Sequence, residues 1–368
     1  MTTRILSNVA MDSEHQFNVG VLGLDRRGQA LVQTMAEMAP FNIQAVADRD
    51  TQLVEKRALQ LECDPFDDYR QFIIQSDFET LFVAANLHNS LEHVRLAIKD
   101  NCHILKLAPM SRTFEEAAQL QALCRDQGTR FDVINPGRYT PAFQAFQNLV
   151  QDGQVDRPFL LRLFCDVGLL AGLNPELFQI HPDNQTSWIT DQALAGGGVL
   201  LHNCYQLIDQ LVLAFGLPQQ VFSLCNSHSS DKQQLHHLTE DTALVTMRFG
   251  DNLIADLVAM RHWDDRPTCQ QITLFCKDSK ITVCSNNLTI HNNLGEIVKE
   301  EDYRHEALEV DRALLTNYHL SLTDPKANPF GSDAEANLRV MAVMEAAYLS
   351  ARTGAPEDPA RILAIEGL

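Results

Sequence analysis

The sequence predicts an α/β protein of two domains: a doubly wound parallel sheet, followed by an α/β domain built on a large open, mainly antiparallel sheet. Three observations carry this. The stretch from Phe17 to Gly28, FNVGVLGLDRRG, reads as a buried strand (Val19, Val21, Leu22) breaking at Gly23 and giving way to the helical period of Leu31, Val32, Met35 and Met38. From there to Ile134 strands and helices alternate strictly, which means parallel pairing with crossovers. From Phe159 onward strands are joined by tight turns instead. With 368 residues and 45% hydrophobic content, the chain can bury two sizeable cores.

The elements follow in order. After the first helix, Phe41 to Asp50 (FNIQAVADRD) reads as a second strand ending in acid, and Thr51 to Leu61 as a helix. Thr80 to Ala85 (TLFVAA) is a third buried strand, Leu91 to Lys99 a helix, and His103 to Leu107 (HILKL) a fourth strand. Thr113 to Asp126 is a helix with a capping-box start at Thr113 and Glu116, and Phe131 to Ile134 is a fifth strand. In the second domain, strands are expected at Phe159 to Val167, Val221 to Asn226, Thr242 to Phe249, Leu253 to Met260, Gln271 to Phe275 and Lys280 to Val283. The turns GDN at Gly250 and KDS at Lys277 mark hairpins. Helices are expected at Leu200 to Phe215, Tyr303 to Leu320 and Ser332 to Ala351. A tail over residues 1–16, a nucleotide domain over 17–137 and a substrate and oligomerisation domain over 138–368 complete the organisation.

A formal net charge of −19 and a pI near 5.0 argue against a nucleic-acid backbone or an anionic membrane as partner. Nine cysteines, an odd number without a C-x-x-C pair, suit free thiols in a reducing compartment. The tail has no apolar run long enough for a signal peptide and no later segment reads as a membrane span, so the expected location is cytoplasmic.

The strand-to-helix turn is where a dinucleotide-binding unit carries G-x-G-x-x-G, which lets a pyrophosphate sit on bare backbone N–H groups at the helix's positive end. Here the frame reads Gly23, Leu24, Asp25, Arg26, Arg27, Gly28: the first and third glycines are present and the middle one is an aspartate, which adds bulk and a repulsive charge. Arg26 and Arg27 are candidates to offset that charge by gripping phosphate from the side. Asp48, at the end of the second strand, stands where such a unit places the carboxylate for the adenosine ribose hydroxyls. It serves either that role, favouring NAD over NADP, or only as a strand end, while Arg49 beside it is a candidate for a 2′-phosphate.

Read together, the VGVLG turn, VADRD, HILKLAP, GRYTP at Gly137 to Pro141, GQVDRP at Gly153 to Pro158, AGGGVLLHNCYQLID at Ala195 to Asp209 and AAYLSARTGAP at Ala346 to Pro356 resemble the Gfo/Idh/MocA family of NAD(P)-dependent oxidoreductases, the glucose-fructose oxidoreductase and inositol dehydrogenase group. The likeness covers nearly the whole chain beyond the tail, and its order and spacing are more specific than any one motif. It implies a Rossmann domain, an open-sheet substrate domain, assembly into homodimers or homotetramers through that sheet, and hydride exchange between a nicotinamide and a sugar, polyol or related alcohol.

The chain departs from the family pattern at the chemistry. Where the family's fourth strand ends in Glu-Lys-Pro, this one reads Leu107, Ala108, Pro109. Lys106, two residues earlier and about 7 Å away along a regular strand, is either a stand-in for the missing cation or a strand-edge lysine reaching solvent. The helix after Gly198 has His202 and Gln206 where the family has an aspartate and its general-base histidine, with the following Asp209 kept. Spacings of four and three put His202, Gln206 and Asp209 on one helical face, yet glutamine takes no proton at neutral pH. His202 is either a replacement base or a hydrogen-bonded interface histidine.

The loop Ala85, Asn86, Leu87, His88, Asn89, Ser90 replaces the family's Thr-Pro-Asn segment and alters the nicotinamide side. Asn135, Arg138, Tyr139 and Pro141 keep the crossover segment. Asn135 joins the candidate cofactor contacts, and Arg138, Tyr139, His181, Trp188 and Asp191 are candidates for the substrate cleft. His236, His237, Glu240 and Asp241 read as a solvated loop, not a metal site, and Lys299 to Asp302 as a solvated lead-in to a helix. Two functions remain open from sequence: an oxidoreductase using His202 and Lys106 in place of the usual pair, or a descendant with weak or lost activity that still binds a nucleotide, a sugar-like ligand or a partner.

Overall fold

The computed structural model describes residues 16–168, 188–227, 238–262 and 268–365. The first domain runs β1 (Phe17–Leu22), α1 (Arg26–Ala36), β2 (Phe41–Ala47), α2 (Thr51–Leu61), β3 (Asp64–Phe66), α3 (Tyr69–Gln75), β4 (Thr80–Val83), α4 (Leu87–Lys99), β5 (His103–Leu107), α5 (Phe114–Gln127) and β6 (Phe131–Ile134). Its six strands are parallel in the order β3-β2-β1-β4-β5-β6. β4 and β6 are buried throughout, as strands covered by helices on both faces must be. The strand order reverses between β1 and β4, which opens a crevice at the carboxyl ends of the strands.

A 3₁₀ turn at Pro136–Tyr139 leads through α6 (Pro141–Gln151) to β7 (Pro158–Gly168). Then come α7 (Gln192–Ala195), α8 (Val199–Asn203), α9 (Tyr205–Phe215), β8 (Gln220–Asn226), β9 (Thr242–Arg248), β10 (Ile254–His262), β11 (Cys269–Cys276), β12 (Ser279–Cys284), β13 (Asn287–Asn292) and β14 (Ile297–Asp302). The second sheet has eight strands in the order β14-β13-β12-β11-β7-β10-β9-β8, antiparallel except where β7 runs parallel to β10. Helices cover one face. The other is open, and β8 and β9 accordingly alternate buried and exposed residues.

The chain closes with α10 (Ala307–Thr323), α11 (Ala334–Thr353) and α12 (Pro359–Ile365). α10 packs on α1, and Leu314, Leu315 and Tyr318 share a core with Val19, Val21 and Leu31 of the first domain. α10 is therefore packed into the core of the nucleotide domain. Arg130 donates to the Ser321 carbonyl, and Asp132 of β6 bridges to Asp333.

The expected strands and helices appear, α2, β5 and β6 with the expected bounds and most others with shifted ends, and several further elements are present. β3 and α3 are too short to show a period, and α6 and α12 are elements to which the sequence analysis assigns no structure. The run Lys299 to Asp302 is the exposed edge strand β14, not a helix lead-in, because with both faces wet it shows no alternation to read. The helix expected over Leu200 to Phe215 is two, divided at Cys204.

Candidate functional site

The β1–α1 turn is shaped by two glycines with no room for a side chain. Gly23 has φ +89°, and a Cβ there would stand 2.4 Å from the Ala85 backbone nitrogen; at Gly28 a Cβ would meet the Ala84 side chain at 2.3 Å. Gly23 thus lets the turn pass the β4–α4 loop, and Gly28 seats α1 on the sheet. Asp25, in the middle glycine's place, is the N-cap of α1, its carboxylate accepting from the Gly28 N–H. Crowding by the surrounding protein raises its pKa, against the pull of Gly28, Lys106 and Arg27. This carboxylate stands on the helix end that would receive a pyrophosphate.

The expected compensation by Arg27 does not occur. Arg27 turns away from the turn to make two bonds to Asp311 of α10, a carboxylate fully removed from solvent. The side chain of Arg26 lies outside the described residues. Leu24 is buried, and its N–H donates to Asp48 Oδ2 at 2.7 Å, while Asp48 Oδ1 accepts from Asp50 N at 3.0 Å. Asp48 therefore joins the glycine turn to the end of β2 and remains beside the crevice. Arg49 stacks over the Tyr69 ring, 5.8 Å from its centroid. Backbone turn, helix end and ribose carboxylate fit a dinucleotide; the charge of Asp25 is the one mismatch.

Lys106 is neither at a strand edge nor in solvent. β5 lies between β4 and β6, the side chain is 4% exposed, and Nζ has one long bond, 3.5 Å to the Leu107 carbonyl. Burial lowers its pKa to about 8, with the Asp25 carboxylate opposing the fall. Its charge is also felt by His202, whose pKa it helps to lower. Ala108, joined to Pro109 by a cis peptide, carries no proton-handling group. Ala85 packs against the core, and Asn86 stands at the N-cap of α4 without a capping side-chain bond.

Gln206 and Asp209 keep a common face on α9, where they meet the consecutive residues Gly137 and Arg138, while His202 lies before the break at Cys204, on α8, with another partner. His202 Nε2 is 3.1 Å from the Ala195 carbonyl, and its ring meets Trp188 edge-on at 5.8 Å. Burial, reinforced by Arg261, lowers its pKa to about 4, so it is neutral near pH 7. Gln206 Oε1 accepts from Gly137 N at 3.2 Å. Asp209 is fully buried in a two-pronged pair with Arg138, whose third contact is the Gly331 carbonyl. Asp209 and Arg138 thus spend their charges on each other.

Asn135 and Tyr139 also have partners within the protein. Asn135 is fully buried and donates to Ser332 and Asn337, and the Tyr139 hydroxyl donates to Asn317 of α10 at 2.7 Å. Both side chains tie the crossover to the C-terminal helices. Asp191 caps α7 by accepting from Ala193 and Leu194 N–H groups. Trp188 lies 5.3 Å from the His88 ring, and the Trp188 Nε1 and His88 Nδ1 atoms are buried without a partner among the described residues. His181, His236 and His237 lie outside the described residues.

Glu240 is the residue the sequence reading most misjudged. It is 6% exposed, accepts from Gly198 N and Leu200 N at the start of α8, and also receives the Tyr348 hydroxyl. Its polar neighbours hid a buried cap that positions the His202 helix. Among the described residues no cluster of His, Cys, Asp or Glu could hold a metal, and no helix is long and apolar enough to cross a membrane.

Residues 17–134 match the family model for oxidoreductases with an NAD-binding Rossmann fold, and residues 143–282 match the GFO/IDH/MocA C-terminal domain. The uncharacterized oxidoreductase YrbE of Bacillus subtilis (strain 168) is 23% identical over 149 residues, 40% of this chain and 44% of that one. The 1,5-anhydro-D-fructose reductase of Ensifer adhaerens is 23% identical over 180 residues, 49% of each chain. The chain thus spans about half the length of these curated relatives. In fold, levoglucosan dehydrogenase in complex with NADH and levoglucosan superposes with a TM-score of 0.80 at 16% identity, over 94% of this chain and 99% of that one. With a parallel nucleotide sheet, an open second sheet and both family models matched in order, the chain belongs to the Gfo/Idh/MocA family of oxidoreductases and its first domain is an NAD-binding Rossmann fold.

Proposed function

We propose that the protein is a slow NAD(P)-linked oxidoreductase for a sugar-like alcohol, in which proton transfer has moved from the family positions, here Ala108 and Gln206, to Lys106. The observation that supports this is the buried Lys106 on β5, between β4 and β6, whose ammonium has one long bond of 3.5 Å and whose pKa burial lowers to about 8. A group poised near the working pH can both give and take a proton, an advantage of about 10² to 10⁴ in rate. His202 is the weaker candidate: it is neutral, and a base with a pKa near 4 has little driving force to hold a substrate proton. When bound, the nicotinamide supplies the hydride. The chain's own residues do the rest: the Gly23 to Gly28 turn and Asp48 hold the dinucleotide, and Lys106 gives its proton to the substrate oxygen in reduction or takes one in oxidation.

A second reading, a pseudoenzyme that binds ligand without turnover, is favoured by one specific feature: Asp25 occupies the N–H group a pyrophosphate would use. Fluorescence titration with NADH and NADPH separates the two. Under the first reading a reduced dinucleotide binds, and Lys106→Met lowers turnover of a polyol panel about 100-fold or more while leaving that affinity unchanged. Silence toward both NADH and NADPH at millimolar concentration removes the oxidoreductase reading. We further propose a homodimer or homotetramer assembled through the open sheet face. The nine cysteines, all free thiols, support a cytoplasmic location.

A further inference from the structure

Two cysteines meet at the break between α8 and α9. Cys165 stands on the helix-covered face of β7, Cys204 closes α8 and opens α9, and both side chains are fully buried. Cys165 Sγ lies 3.9 Å from the carbonyl of Asn203, the residue just before Cys204, and accepts from Gln270 Nε2 at 3.7 Å. Gln270 of β11 also donates to the Asn203 carbonyl at 3.0 Å, and Arg261 of β10 donates to the Asn203 side chain at 2.9 Å. Two neighbouring strands thus hold the chain beside Cys204 against Cys165. The Cys204 thiol hydrogen-bonds to the Cys165 sulfur, and this bond, aided by the Gln270 amide and working against burial, lowers the Cys165 pKa. Burial pushes Cys204 well above the ordinary thiol range. The pair is therefore unequal: one sulfur favours the thiolate, the nucleophilic form, and a second thiol stands beside it.

We propose that Cys165 and Cys204 form a peroxide-sensitive dithiol that closes to a disulfide across the α8–α9 break. The Cys165 thiolate attacks one oxygen of hydrogen peroxide; the O–O bond breaks, and the departing hydroxide takes a proton and leaves as water, giving a sulfenic acid at Cys165. The Cys204 sulfur then attacks the sulfenic sulfur; the S–O bond breaks, the thiol proton goes to the departing oxygen, and a second water leaves. Two thiols and one peroxide become one disulfide and two waters, the electron pair passing from sulfur to oxygen. Gln270 lines a cavity of about 310 Å³ beside the Pro136–Tyr139 turn and touches the Cys165 sulfur, which gives a molecule as small as peroxide a short way in. Closure ties the break to β7, between the helix that carries His202 and the one that carries Gln206. Cys269 and Cys284 on the open face are also neighbours, since Cys284 pairs with Gln271 two residues along from Cys269. Burial and the nearby Cys284 raise the Cys269 pKa, which makes it the poorer nucleophile. This inference stands apart from the oxidoreductase reading.

The test treats the full chain, reduced and then freed of reductant, with hydrogen peroxide at neutral pH and reads intact mass and proteolytic peptides under non-reducing conditions. The expected result is the loss of two hydrogens, a peptide cross-linked between Cys165 and Cys204, and reversal by dithiothreitol. Cys204→Ala removes the resolving thiol, so Cys165 should stop at a sulfenic acid that dimedone labels, with no cross-link. Cys165→Ala should leave Cys204 neither cross-linked nor labelled, and circular dichroism should be unchanged in both variants. The proposal is overturned if peroxide joins only Cys269 to Cys284, if it joins two chains, if Cys165 stays a thiol while other cysteines oxidise, or if Cys165 passes to the sulfinic acid with Cys204 untouched. Should a variant fail to fold, the peptide map of the parent chain decides by itself.

Discussion

Asp25 sets the character of the nucleotide turn by itself. It caps α1, a job glycine does nearly as well, so Asp25→Gly should cost only a few tenths of a kcal/mol. The same change frees the Gly28 N–H and removes a negative charge from the pyrophosphate's place, so NADH affinity should rise about tenfold or more; unchanged affinity would mean that the dinucleotide never meets this turn. Lys106 makes a pH prediction. Carbonyl reduction needs its ammonium and should fall as pH rises through about 8, whereas alcohol oxidation needs the free amine and should rise through the same range. His202 acts on stability instead. Its native pKa of about 4 lies below the ordinary 6.5, so on acidification the unfolded chain takes the proton first. Stability is lost between those values, by up to about 3 kcal/mol, and His202→Gln should flatten urea midpoints measured across that window.

At the scale of elements, the crossover into the second domain depends on one buried ion pair. Arg138→Met would leave the Asp209 carboxylate without a partner in a site of no solvent, which costs about 3–5 kcal/mol; Arg138→Met with Asp209→Leu should recover much of that in urea denaturation. Nothing in the spacing of Arg138 and Asp209 distinguishes such a pair from two cleft residues, because partner choice is made by tertiary packing. Elements with a strong period were legible: the bounds expected for α2, β5 and β6 match those found. The glycine turn was legible too, since its backbone requirement is local. The direction of Arg27, the burial of Lys106 and the capping role of Glu240 depend on chain segments up to hundreds of residues away. Of the face from His202 to Asp209, Gln206 and Asp209 share α9, while His202 precedes the break at Cys204, which the period alone did not reveal.

For the whole molecule, the second sheet poses the remaining question. Its helical face is closed by buried side chains, while strand register lines up Leu224, Leu244, Val258 and Phe164 in one row across the opposite face. Leu224 is 59% and Leu244 46% exposed, and Ile254 at 48% lies on the same side. An apolar row spanning four strands is costly to leave in water, and a second copy supplies a matching row by two-fold symmetry. In the middle of that face Arg162 and Asp256 pair at 3.1 Å, so a twofold contact meets a locally neutralised patch and not a bare charge. Leu244→Glu would place a charge between Leu224 and Val258, where a closed interface gives it no partner. Light scattering after size exclusion should show the parent chain as a dimer or tetramer and this variant as a folded monomer. A parent chain that is monomeric at tens of micromolar would show that the open face meets something other than its own copy.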